Sequence, residues 1–116
     1  MMRLNSGSVA VQQGSRVLFS DYADDGIMWT GQGDRENRHI VTFKQSFKGA
    51  PAVIVGISMW DIDHQHNIRA DVSAEQITAE VFHILFRTWA DSRIARIRVE
   101  WTAIGSVSDD DDWDVR

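Results

Sequence analysis

Thr78-Ala79-Glu80-Val81-Phe82-His83-Ile84-Leu85-Phe86 is followed by Arg87-Thr88-Trp89-Ala90-Asp91-Ser92 and then by a run ending in Val99-Glu100-Trp101-Thr102-Ala103. The first segment places Phe82, Ile84 and Phe86 on one face of an extended chain, and residues 77–88 read as a strand. The second has the polarity of a turn. In the third, Ile97, Val99, Trp101 and Ala103 alternate with Arg96, Arg98, Glu100 and Thr102, so residues 93–104 read as a strand buried on one side. Just upstream, Ile68, Ala70 and Val72 alternate with Asn67, Arg69 and Asp71. A period of two over these segments predicts a β protein, because an apolar stripe on a helix requires a spacing of three and four.

The same period continues outward. Residues 52–62 are rich in Val and Ile, and neither face is plainly polar, which predicts a strand covered on both sides, by its own core and by a partner chain. Between His39 and Phe47 the odd positions are His39, Val41, Phe43, Gln45 and Phe47, another half-buried strand. Residues 3–13 alternate loosely and suggest a first strand, closed by a turn at Gly14-Ser15 and followed by a short segment, Arg16–Phe19. The stretch from Asp21 to Arg38 is dense in Asp, Gly and Asn and reads as a long irregular loop, a type that in small domains often carries function. Trp29 in it is expected to fold back over the edge of the core. Several short strands with regular turns indicate an all-β sandwich or barrel.

The chain has 116 residues, enough for one domain. Five aspartates within residues 109–116, set against Arg116, carry four of the five net negative charges, leaving the rest of the chain near neutral. Nucleic-acid binding needs a basic face and is not expected. Without cysteine there is no disulfide, thiolate metal site or cysteine nucleophile. No apolar run approaches the roughly 20 residues of a membrane span, and Met1–Ser8 has no hydrophobic signal region. Action outside the cell, including in a virion, would need lysis or a dedicated export route. Residues 1–105 are read as the domain and 106–116 as a flexible acidic tail, with Trp113 an unusual residue for such a tail.

The span from about His39 to Gly105 resembles the H-type lectins. The residues that carry the likeness are Thr42-Phe43 with Phe47 and Pro51, Asn67-Ile68-Arg69, Ile77-Thr78, Thr88-Trp89 with Asp91, and Val99-Glu100-Trp101-Thr102-Ala103, with a weaker extension at Asn5-Ser6-Gly7. No single motif among them is specific, but the combination is. The resemblance implies a six-stranded antiparallel β-sandwich, assembly as a homotrimer or a dimer of trimers, and sugar sites in clefts between subunits. It implies that Asp34 accepts from sugar hydroxyls, that Gly33 lets the backbone approach the ligand, that Arg69 donates to sugar oxygens, and that Trp89 forms an aromatic wall contributed across the subunit boundary. Two positions depart from the family pattern: Ala90 stands where a histidine bonds the sugar, and Ala95 where a tyrosine packs near it. Asp91 is the candidate replacement contact. The implied function is carbohydrate binding without catalysis or cofactor, with N-acetylgalactosamine or a related galactose-type glycan as ligand and a place in cell adhesion.

The chemistry is consistent with such a set. A carboxylate accepts from two hydroxyls, a guanidinium offers a rigid fork of donors, and an indole covers the C–H face of a sugar ring. Taken singly, each residue has a plainer explanation: Arg69 paired with Asp71 on a strand surface, Asp34 as a turn former, Trp89 as a core or interface residue. His64 and His66 read as a polar turn rather than a metal site. Asp21, Asp24 and Asp25 lack the spacing of a calcium loop. No serine-hydrolase, P-loop or zinc motif is present. The alternative to a lectin is a structural trimerisation or attachment domain, as in a phage tail or secreted assembly, with a degenerate sugar site.

Overall fold

The computed structural model describes residues 1–4 and 7–108. Asn5, Ser6 and residues 109–116, which hold the acidic run and Trp113, lie outside the described residues. Six strands form two three-stranded sheets: β1 (Val9–Ser20), β2 (Arg35–Thr42), β3 (Ala52–Ile62), β4 (Asp71–Glu75), β5 (Val81–Thr88) and β6 (Ile94–Ser106). The order is β1-β6-β3 in one sheet and β2-β5-β4 in the other, and every pairing is antiparallel. This is the expected six-stranded antiparallel β-sandwich.

The two inner faces supply the core. Phe82, Ile84 and Phe86 of β5 and Ile97, Val99 and Ala103 of β6 are fully buried, as their alternation requires. Phe82 stacks on Phe43 at 5.5 Å and meets Trp101 edge-on at 5.2 Å, so the indole assigned to the core lies there. The sheets are also stitched along the β1–β2 side. His39 Nε2 donates to the Leu18 carbonyl (2.7 Å), Arg16 Nη1 to the Ile40 carbonyl (3.1 Å) and Gln12 Nε2 to the Gln45 carbonyl (2.7 Å).

Several local expectations are corrected. Gly14 is not a turn: β1 runs straight through it, paired with Trp101. A Cβ on Gly14 would sit 2.6 Å from the Trp101 indole nitrogen, so glycine is required here by the ring packed over it and not by a bend. The stretch from Asp21 is not wholly irregular. It forms two single-turn helices, α1 (Asp21–Asp24) and α2 (Ile27–Thr30), joined through Asp25 in the left-handed region (φ 53°). The Asp21 carboxylate accepts from the Met28 N–H at 3.0 Å, which gives it a structural task. Met28 closes the core edge at 2% exposed, while Trp29 is half-buried. β2 runs from Arg35 to Thr42, so it begins and ends earlier than the alternation over residues 39–47 suggested. Arg69 lies in the segment leading into β4, not on a strand, and β4 continues through Glu75. At the other end β6 extends to Ser106, and Val107 is buried with its N–H bonded to the Ser8 carbonyl (3.0 Å). Among the described residues no helix is long and apolar enough to cross a membrane.

Candidate functional site

β5 is the central strand of its sheet, and at one end it emerges at Trp89. Its register is Arg35↔Thr88 with β2 and Asp71↔Arg87 with β4. Continued outward, the first register sets Asp34 beside Trp89; Arg69 lies beyond the paired part of β4, its N–H donating to Ser92 Oγ and its carbonyl accepting from Thr88 Oγ1. By alternation Asp34 and Trp89 share the outer face with Glu36, Asp71 and Arg87. Residues separated by 55 positions in the chain thus converge because one strand pairs with two others. A cleft of about 700 Å³ opens here, lined by Asp34, Glu36, Asp71, Arg87 and Trp89 among others. With three carboxylates against one exposed guanidinium, it is rich in acceptors for hydroxyl groups.

Of the six residues expected at the site, Asp34 and Trp89 line this cleft, and the other four frame the neighbouring turn. Gly33 has φ +76°, a conformation that favours glycine, and an added Cβ would meet nothing within 4 Å; the requirement is conformational. The Gly33 N–H donates to the Ala90 carbonyl at 2.9 Å, and Ala90 itself is left-handed at φ 60°. Arg69 does not pair with Asp71. Its Nη1 lies 4.0 Å from Asp91 Oδ1, loose enough to leave donors for another partner. Asn67 Nδ2 also donates to the Asp91 carboxylate, at 3.3 Å. Partial burial pushes the Asp91 carboxyl up, but the Asn67 side chain, backbone N–H groups and the Arg69 charge outweigh it and hold the carboxyl below its ordinary value.

Three residues that sequence reasoning missed hold this arrangement. Arg35 is 7% exposed and has no carboxylate partner among the described residues; its guanidinium donates instead to five carbonyls. These are Gly33 (3.1 Å), Ile27 (3.2 Å), Met28 (3.1 Å), Ala90 (3.3 Å) and Ser92 (2.8 Å). One side chain therefore ties α2, the Gly33 bend and the Ala90–Ser92 turn together. Burial lowers its pKa from the ordinary arginine value. Nothing in the charged run from Asp34 to Arg38 distinguishes this arginine. Thr88 and Ser92 are fully buried. Thr88 Oγ1 donates to the Arg69 carbonyl (2.5 Å); Ser92 Oγ donates to the Asn67 carbonyl (2.5 Å) and accepts from the Arg69 N–H (2.9 Å). They pin both sides of Arg69 to the end of β5. Thr88 did carry a signal, as a hydroxyl at a position whose parity matches Phe82, Ile84 and Phe86.

A family model, the H-type lectin domain, matches residues 38–104. The chain belongs to that family. It is 59% identical over 115 residues to the protein named ATP synthase subunits region ORF 7 of Fuscovulum blasticum, with 99% of each covered. Two solved structures of discoidin II from Dictyostelium discoideum share the fold. The recombinant protein superimposes with a TM-score of 0.74 at 22% identity over 90% of this chain, and the wild-type protein with 0.75 at 21% over 91%. The chain spans 40% of the length of either discoidin chain. Family membership supports a carbohydrate-binding lectin, in a family of binding modules rather than enzymes.

Proposed function

We propose that the cleft at the end of β5, lined by Asp34 and Trp89 of one chain and completed by a neighbouring subunit of a homotrimer, binds a neutral hexopyranose, with N-acetylgalactosamine or a related galactose-type glycan as the first candidate. The observation that carries this reading is a cleft in which Trp89 lies with Asp34, Glu36 and Asp71, with Arg69 next in the chain to the lining residue Ala70. The indole supplies an apolar plate, Asp34 an acceptor, and Arg69, only loosely held by Asp91, the donors. Ala90 has no side-chain donor, so Arg69 and Asp91 take the polar contacts on that side, while Gly33 leaves open the space a side chain would fill. Each neutral hydrogen bond nets about 0.5–1.5 kcal/mol, which predicts millimolar to micromolar single sites.

Weak sites favour an oligomer. The outer face of the β1-β6-β3 sheet is apolar at one end, where Val11 pairs with Ile104 and Ile104 with Ala52; nearby Ile54 is 68% exposed. In this reading a homotrimer buries this face, as expected for residues 52–62. Three linked sites would raise avidity by roughly 10²–10⁴-fold on a surface of matched glycans. Residues 1–107 form the lectin unit in this reading, with the acidic segment appended.

A glycan-array screen tests the proposal, with mass in solution measured alongside against 13.2 kDa per chain. Selective retention of galactose-type glycans by a trimer is expected, and Arg69→Ala should abolish it while the trimer stays folded. Unchanged binding by that variant would overturn the site assignment. A trimer blind to every glycan would favour the second reading, a structural trimerisation or attachment domain. Ala90, at the place of a family donor, is the observation on that side.

A further inference from the structure

A second depression, of about 440 Å³, shares no lining residue with the cleft of Asp34 and Trp89, although Ala95, at the place of the family tyrosine, is part of its wall. It lies between α1–α2 and the turn that follows β3, and its walls include Tyr22, Trp29, Asp61, Asp63, His64 and Gln65. Tyr22 meets Trp29 edge to face, with ring centroids 5.0 Å apart at 84°. Tyr22 is nevertheless 63% exposed. Sealing the core is not its task, because Met28 beside it already does so at 2% exposed.

The walls are held in place from behind. The Arg93 guanidinium lies 4.5 Å over the Trp29 ring and its Nε donates to the Trp29 carbonyl at 3.0 Å. Arg93 Nη1 reaches Asp63 at 3.8 Å, and Asp63 also accepts from the Gln65 N–H at 2.9 Å and faces His66 Nδ1 at 3.2 Å. Trp29 and Asp63 are therefore fixed before any ligand arrives, which reduces the ordering cost of binding. Asp61 is exposed, with Arg96 Nη2 at 3.4 Å. The two carboxylates are matched by Arg93 and Arg96, so the cleft offers no unbalanced charge to anchor an ionic ligand. What it offers is an exposed aromatic ring beside hydrogen-bonding groups that do not sum to a field, a combination suited to a neutral polyol with an apolar C–H face.

We infer that this cleft is a second saccharide site, taking a neutral pyranose whose C–H face lies on Tyr22 and whose hydroxyls bond Asp61, His64 and Gln65. The inference rests on the carbohydrate-binding reading of the domain, but not on the residues of the first cleft. One ring contact with two or three hydrogen bonds predicts an affinity near millimolar.

The test is an NMR titration of the intact protein with galactose, N-acetylgalactosamine, glucose and mannose, each to tens of millimolar. The indole N–H resonances of Trp29 and Trp89 and the amides of residues 61–65 are followed. Saturable shifts are expected at Trp29 and residues 61–65 for at least one sugar. They should be preserved in Arg69→Ala and weakened at least tenfold in Tyr22→Ala, a surface change whose remaining spectrum reports that the fold is intact. Shifts confined to Trp89 would overturn the second site and leave the first standing. Shifts confined to Trp29 and residues 61–65 would support the second site and remove the first. Absence of shifts at both clefts would overturn both, and shifts at Trp29 that Tyr22→Ala leaves unchanged would overturn the proposed binding mode.

Discussion

Replacing Arg35 by methionine keeps much of the aliphatic stem and removes all five donated hydrogen bonds. Hydrogen bonds from a charged donor are worth about 1.5–3 kcal/mol each when measured singly. Their sum overstates the loss, for two reasons. Burial of the guanidinium already carries a desolvation cost that the variant recovers. The carbonyls of Gly33 and Ala90, in exposed residues, can also turn to water, whereas those of Met28 and Ser92 belong to residues that are buried. Counting mainly these two gives a net destabilisation of about 3 kcal/mol, a large share of the roughly 5–15 kcal/mol expected for a domain. For a chain of this size that corresponds to a fall in Tm of about 10 °C. Lysine should recover only part, since an ammonium has three donors and no planar fork. Thermal unfolding followed by near-ultraviolet circular dichroism measures the shift. Amide exchange at Gly33, whose N–H bonds Ala90, reports whether the bend loosens first. A fall of less than about 3 °C for Arg35→Met would refute the view that this side chain holds the end of the sandwich together.

Three further outcomes follow from other sites. Gly14→Val should destabilise the domain by about 1–3 kcal/mol, because its Cβ meets the Trp101 indole at 2.6 Å; chemical denaturation should show a lower midpoint with an unchanged slope. Asn37 is paired with Phe86, and its Oδ1 is buried without a partner among the described residues. Asn37→Val should therefore be neutral or stabilising by up to about 1 kcal/mol, and a loss above 1 kcal/mol in the same assay would show that the oxygen has a role. The third concerns pH. The Gln65 N–H, working against partial desolvation and helped by His66 and Arg93, lowers the pKa of Asp63, and that of Asp91 is lowered as described. With folded pKa values below the unfolded one, near 3.9, the unfolded chain binds protons first. The stabilisation is therefore present above about pH 4 and is lost as the pH falls through the lower folded values. Asp63→Asn and Asp91→Asn should each flatten the acid limb of a Tm–pH profile, most clearly at low salt.

The strands could be read from the chain because their apolar residues recur with a period of two or, in residues 52–62, run on both faces. Phe82, Ile84 and Phe86, or Ile97, Val99 and Ala103, announce the inner face by simple alternation, and β3 was legible from end to end as residues 52–62. Positions governed by a contact rather than a pattern were misread. Gly14 looked like a turn because glycine usually marks one, yet its reason is the Trp101 ring on the neighbouring strand. The single-turn helices escaped notice because one turn shows no period; they are held by Asp21 on the Met28 N–H and by Arg35 on the Ile27 and Met28 carbonyls.

The candidate site divides the same way. Asp34, Arg69 and Trp89 were named from a family resemblance, and local chemistry explains why such residues suit a sugar. Chain order alone would have paired Arg69 with Asp71, two residues away; in the folded protein it faces Asp91, because Thr88 and Ser92 grip the backbone on either side of it. Arg35 could not be singled out in advance, since a buried arginine satisfied only by carbonyls leaves no trace in a charged run. The sequence by itself determined which residues share a face, because a period of two is a property of the extended backbone. Only the tertiary structure decided which faces and ends meet: β5 pairs with both β2 and β4, and that non-local register brings Asp34 from one side and Asp71 from the other to the cleft where Trp89 lies.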